Sequence, residues 1–133
     1  VSQTLAWSYL TDEEKKSWIE KGKGLHIHCP DGSTNKDGPS AGSAITLSLI
    51  LFLKNQVVKE NYGITGEINL EGDITAIGGL ELKIMGSIKA GIKHFIFPSE
   101  NISDFEKIED KSQFNDITFS NVKNIGELLN IIL

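Results

Sequence analysis

Two side chains able to do chemistry sit in short glycine-bearing stretches: Ser40 in Lys36-Asp37-Gly38-Pro39-Ser40-Ala41-Gly42, and Lys83 in Gly78-Gly79-Leu80-Glu81-Leu82-Lys83. Ser40 stands in a tight turn of small residues directly before a run of helix formers, Ala44 to Leu53. A hydroxyl at the mouth of a helix lies at the positive end of its dipole, beside backbone N–H groups that can bind a developing oxyanion. Serine at such a turn is equally an ordinary N-cap, which satisfies the same orphan donors without any chemistry. To act as a nucleophile, Ser40 therefore needs a base. Lys83, one turn into a second expected helix, can be that base only if its amine is neutral, against a reference pKa of about 10.4. Desolvation can bring a buried lysine down by roughly 3 to 5 in pKa, enough for general-base work near neutral pH. Its neighbours Leu80, Leu82, Ile84 and Met85 supply an apolar setting. The plain alternative is a solvated helix lysine.

Other candidates are weaker. His26 and His28 are two apart on an expected strand and so share a face, with Cys29 pointing to the other, and no fourth ligand cluster completes a metal site. Cys29 one residue from a histidine suggests a thiol nucleophile, but adjacency on a strand points the two side chains apart. His94 stands alone on a later strand and reads as structural. Ser120-Asn121-Val122-Lys123 spells S-x-x-K without the companion motifs of penicillin-recognising enzymes. Asn101-Ile102-Ser103 is a glycosylation sequon, which matters only on a secretory route.

The elements that must position these residues follow from periodicity and punctuation. Residues 2–19 read as two helical pieces, the second starting at Thr11-Asp12-Glu13-Glu14, an N-cap followed by an acidic first turn. Residues 21–24 form a turn, 25–29 a short strand ended by Pro30, and 31–38 a polar surface loop that feeds the serine. Residues 40–54 make an apolar central helix, hydrophobic on most sides and hence buried. Residues 62–70 and 73–77 are strand-like runs joined at Glu71-Gly72, a hairpin signal. A helix over 80–90 is stopped by Gly91, a strand over 94–97 is closed by Pro98, and 102–108, 117–119 and 125–133 read as helix, strand and amphipathic helix. The class is α/β (α+β), with a small mixed sheet and flanking helices.

Composition narrows the function. The chain has 133 residues, enough for one domain with a single core. With 39% hydrophobic and 23% charged residues, it has the balance of a folded chain and not of a disordered one. A net charge of -5 without a basic face argues against nucleic acid as a partner. All 13 basic residues are lysines, so these residues supply no arginine finger or bidentate phosphate clamp. No G-x-x-x-x-G-K-[ST] loop occurs, and the apolar run at 45–53 is too short to span a membrane. A single cysteine excludes an internal disulfide and favours a reducing, intracellular compartment.

Four motifs in register resemble the proteolytic domain of the Lon family of ATP-dependent serine proteases. Asp37-Gly38-Pro39-Ser40-Ala41-Gly42 matches its serine turn and Gly78-Gly79-Leu80-Glu81-Leu82-Lys83 the helix start carrying its lysine. Thr65-Gly66-Glu67-Ile68 matches its T-G-E-I segment, and His26-Ile27-His28 with Pro30 its H-x-H strand. Ala90-Gly91-Ile92-Lys93 and Pro98-Ser99-Glu100-Asn101 continue the likeness in order. Glu81-Leu82 departs from a charged pair common in the family, which touches local surface contacts and leaves the dyad intact.

The resemblance implies a Lon protease-domain-like fold across 1–133, without the family's opening strands or its ATPase module. It implies a serine endopeptidase with a Ser40–Lys83 catalytic dyad acting on unfolded or damaged proteins. Thr65 is the expected orienting group for the amine, His28 helps shape the site without being the base, and Asp37 is a loop gatekeeper whose carboxylate could pair with Lys83 and hold the site inactive. No cofactor or metal is expected in this domain, with ATP and magnesium on an ATPase module outside it. The implied partners are unfolded or misfolded proteins and a homo-hexamer in the parent protein, weaker or monomeric for this chain alone, with no membrane. The implied location is the cytoplasm or the mitochondrial matrix. Two rival readings are a non-catalytic ring-assembly module, which would need neither Ser40 nor Lys83, and an ATP-independent Lon-like peptidase.

Overall fold

The computed structural model describes residues 1–22, 24 and 40–133. The expected strand at 25–29, the loop at 31–38, and with them His26, His28, Cys29 and Asp37, lie outside the described residues. The chain opens with helices α1 (Ser2–Ser8) and α2 (Asp12–Lys21). The start of α2 is a capping box: the Thr11 hydroxyl accepts from the Glu14 N–H, and the Glu14 carboxylate accepts from the Thr11 N–H. That N–H, together with the Lys54 ammonium at 2.9 Å, holds the Glu14 carboxyl below its ordinary range. Gly22 ends α2 in the left-handed conformation.

Helix α3 (Gly42–Leu53) follows the serine turn and buries most of its length, Leu47, Ile50 and Leu51 almost completely. The run expected as one strand over 62–70 is two, β1 (Tyr62–Ile64) and β2 (Glu67–Ile68), interrupted at Thr65-Gly66. β2 pairs antiparallel with β3 (Ile74–Thr75) around Glu71-Gly72, as the hairpin signal implies, with Asn69 Oδ1 accepting from the N–H groups of Glu71 and Asp73. Helix α4 (Leu80–Lys89) leads to β4 (His94–Pro98); a 3-10 turn (Ser99–Asn101) and α5 (Ile102–Glu106) lead to β5 (Thr118–Val122) and α6 (Ile125–Ile132). β5 runs further than the expected 117–119, which puts Ser120 inside a strand, with Lys123 just past its end, and so removes the helical spacing that an S-x-x-K reading needs.

Strands β1, β4 and β5 form a parallel sheet in the order β1-β4-β5, while β2 and β3 make a separate antiparallel pair. The parallel and antiparallel halves of the mixed α/β fold thus occupy two sheets. Alternation along β4 divides the apolar interior. Ile96 faces a cluster built from α1, α3 and α6, whereas Phe95 and Phe97 face a second cluster with Leu80 and Ile84 of α4, Phe105, Phe114 and Phe119. Helices α3 and α4, which carry the two candidate motifs, therefore pack on opposite faces of one sheet.

Ile84 is fully buried and holds α4 against this second cluster. Ile84→Ala should lower unfolding stability by about 2–5 kcal/mol, read by denaturant titration. A loss below ~1 kcal/mol would mean that α4 is held by other contacts.

Candidate functional site

Ser40 does not cap α3. The N-cap position is Ala41, no side chain caps the helix, and Ser40 sits one residue earlier in a turn, half-buried. Its turn is instead fixed by backbone pairing to the interruption between β1 and β2. The Gly66 N–H donates to the Ser40 carbonyl at 2.9 Å, and the Ser43 N–H donates to the Gly66 carbonyl at 3.0 Å. One residue thus binds the serine turn through both its donor and its acceptor. The preceding residue, Thr65, donates its own N–H to the Ile96 carbonyl at 3.1 Å, which ties this segment to the central strand of the sheet.

The Thr65 side chain, 7% exposed, faces the other motif: Lys83 Nζ donates to Thr65 Oγ1 at 3.4 Å. Lys83 is half-buried, and its N–H bonds to the Gly79 carbonyl in the first turn of α4. Gly79 adopts a left-handed φ of 68°, which explains the glycine at that position. Ser40, Thr65 and Lys83 all line one cavity of about 390 Å³. Along α4 this cavity is bordered by Lys83, Gly86, Ser87 and Ala90, small residues at helical spacing beyond the lysine, and its floor includes Gly63, Ile92 and Phe95. The arrangement offers a hydroxyl at an uncapped helix start, an amine aimed by a second hydroxyl, and apolar space beside both.

Ser43, in the first turn of α3, is fully buried, and its Oγ has no hydrogen-bond partner among the described residues. Only Ser40 of the two borders the cavity. His94 lies on β4 and stacks on Tyr62 with ring centroids 4.7 Å apart, away from the cavity lining, as its structural reading implied. Among the described residues no group of three or more His, Cys, Asp or Glu is placed to hold a metal ion, and no helix is long and apolar enough to cross a membrane.

Residues 1–133 match the family model of the Lon protease (S16) C-terminal proteolytic domain. The chain belongs to that family. It is 40% identical over 116 residues to a Lon protease of Mycoplasma mycoides, covering 84% of this chain and 15% of that protein. A Lon protease of Flavobacterium johnsoniae is 38% identical over 136 residues, covering 99% of this chain and 16% of the relative. One from Fusobacterium nucleatum is 44% identical over 91 residues, covering 68% and 12%. The chain thus spans about a sixth of the length of these relatives or less. Membership in this Lon family supports classing the chain as a serine endopeptidase domain.

Gly66 belongs to the Thr65-Gly66-Glu67-Ile68 motif, but its role as the clamp on the serine turn is not legible from its neighbours in sequence. A Cβ there would lie 2.5 Å from Ile74 Cγ2 and 3.1 Å from Ser43 Oγ. Gly66→Ala should therefore push the segment off the serine turn. The expected cost is about 1–3 kcal/mol of stability, seen by thermal unfolding, with a loss of peptidase activity in the folded fraction. Unchanged stability and activity would show that the clamp is dispensable.

Proposed function

We propose that this chain is the peptide-cleaving part of an ATP-dependent Lon-type protease, with Ser40 as nucleophile and Lys83 as general base. The observation that carries this reading is the Lys83 Nζ to Thr65 Oγ1 hydrogen bond in a cavity shared with Ser40. The neutral Lys83 amine takes the Ser40 proton as Oγ attacks the peptide carbonyl carbon. Backbone N–H groups around Ser40 hold the oxyanion; Pro39 has none to give, so the donors are Ser40 itself and its neighbours. When the C–N bond breaks, Lys83 returns the proton to the leaving amine and an ester remains on Ser40. Water, deprotonated by the same amine, attacks that ester, releases the acid product and restores the hydroxyl. Thr65 accepts one amine hydrogen and so directs the nitrogen toward Ser40.

The assigned substrates are unfolded or damaged proteins, the assembled parent is a homo-hexamer, and ATP with magnesium binds an ATPase module outside this chain. Asp37 and His28 are assigned the gatekeeping and site-shaping roles that the family likeness suggests, and the cellular setting is the cytoplasm or mitochondrial matrix.

Ser40→Ala should abolish cleavage of unfolded casein by the full-length protein while leaving the circular dichroism of the domain unchanged; wild-type cleavage by that variant rejects the assignment. Lys83→Arg should fail as badly as Lys83→Ala, because arginine stays protonated at neutral pH. Substantial activity in Lys83→Arg would make Lys83 an electrostatic prop and require another base.

Assembly is testable separately. Contacts between isolated domains of this size rarely reach the roughly 1,000 Å² of a stable interface. This chain alone should therefore scatter light as a monomer or weak oligomer and cleave a fluorogenic peptide poorly, whereas the full-length protein is an active hexamer. A stable, fully active hexamer of these residues alone contradicts that.

A further inference from the structure

Asn101, whose tripeptide reads as a glycosylation sequon, is 1% exposed and closed to any such modification in the folded chain. Its amide is spent inside the molecule. Oδ1 accepts from the Ile77 N–H at 3.0 Å, while Nδ2 donates to the Ile77 carbonyl at 2.9 Å and to Asp104 Oδ2 at 2.8 Å. A side-chain amide that meets both backbone groups of one residue reproduces a strand pairing at a single point. Beside it, the Glu100 carboxylate accepts from the Ala76 N–H at 2.9 Å. Together they hold Ala76 and Ile77, the two residues after β3, which lie beyond its last sheet pair, Thr75 with Glu67.

The location gives this pairing its consequence. Ile77 is followed by Gly78-Gly79, where a side chain would meet nothing within 4 Å, and then by α4. Two glycines in open space impose little on the direction of the chain. No side chain caps α4 either. Burial of Leu80 and Ile84 draws the helix onto its apolar cluster, but burial is non-directional and tolerates sliding along the contact. A paired hydrogen bond is directional. The last fixed point before the helix that carries Lys83 is therefore Ile77, and Asn101 fixes it.

We infer that Asn101 is a positioning residue for catalysis: by pinning Ile77 through both backbone groups it sets where α4 begins, and so where Lys83 stands relative to Thr65 and Ser40. This rests on the Ser40–Lys83 reading. A loss of position at the base slows the chemical step and leaves the binding of peptide in the cavity alone.

The test is steady-state peptide hydrolysis by the full-length protein carrying Asn101→Ala, Asp104→Ala, Ser40→Ala or Leu128→Ala. Leu128 is fully buried in the cluster on the opposite sheet face and serves as a control for lost stability. Asn101→Ala is expected to lower kcat by about 10- to 100-fold with KM within about twofold, the size of effect that a misplacement near 1 Å produces. Asp104→Ala, which removes only the outer anchor of the amide from an exposed position, should give a smaller fall of the same kind. Leu128→Ala should keep its kcat per folded molecule.

Wild-type kcat in Asn101→Ala, or a loss no larger than that of Leu128→Ala at equal folded fraction, overturns the inference. If Asn101→Ala does not fold, Asp104→Ala decides alone, and a wild-type kcat there also overturns it. Activity in Ser40→Ala would instead remove the underlying dyad reading, an outcome distinct from either.

Discussion

The candidate site depends on a two-residue break in a strand. Thr65 and Gly66 leave the line of the sheet after Ile64, and each then serves a different partner. Gly66 gives its N–H and its carbonyl to the serine turn, while Thr65 offers its hydroxyl to Lys83 and its N–H to Ile96. Without that break the β1 and β2 residues would run on as one strand, and the Gly66 N–H and carbonyl that bind the serine turn would be used up in sheet pairing. The absence of a side chain at Gly66 is part of the same constraint, since Ile74 and Ser43 fill the space a Cβ would take.

Layering explains why such a connector is needed. α3 belongs to the cluster on one face of the parallel sheet, α4 to the cluster on the other. Residues on two helices separated by a sheet can meet only beyond a strand end or around an edge, and β1 is an edge strand of the described sheet. Thr65 follows β1 directly, at its C-terminal end, where open parallel sheets place their binding crevices. Gly86 and Ala90 leave the space beside the helix unfilled, while Gly63 lets Ile92 and Phe95 pack closely against the edge strand.

Much of this was legible in the chain. The mixed α/β class, the capping box at Thr11, the hairpin at Glu71-Gly72 and the helices after the serine turn and the glycine pair all carry local signals, and the structure contains each of them. Other features depend on contacts between residues far apart in sequence. Tyr62, Ile64, Ile68 and Leu70 alternate as one strand would, and only pairing with Ser40 and Ser43 shows the break at Gly66. The helix expected from residue 40 begins at Gly42, because the Ser40 carbonyl is bound by Gly66 and Ser40 and Ala41 form a turn. The strand expected over 73–77 ends at Thr75, because side chains of Glu100 and Asn101 take the next backbone groups. The apolar pattern of β5 breaks at Ser120 and Asn121, which hides its length, while the parallel pairing with β4 carries it through to Val122.

The most direct test of this account is to treat the full-length protein with a fluorophosphonate, which phosphonylates activated serine hydroxyls, and to locate the adduct by mass spectrometry in the wild type, Lys83→Arg and Thr65→Val. The account predicts modification at Ser40, lost in Lys83→Arg and slowed in Thr65→Val, where the hydroxyl that accepts from the amine is gone. Modification at another serine, or undiminished labelling of Ser40 in Lys83→Arg, would contradict it.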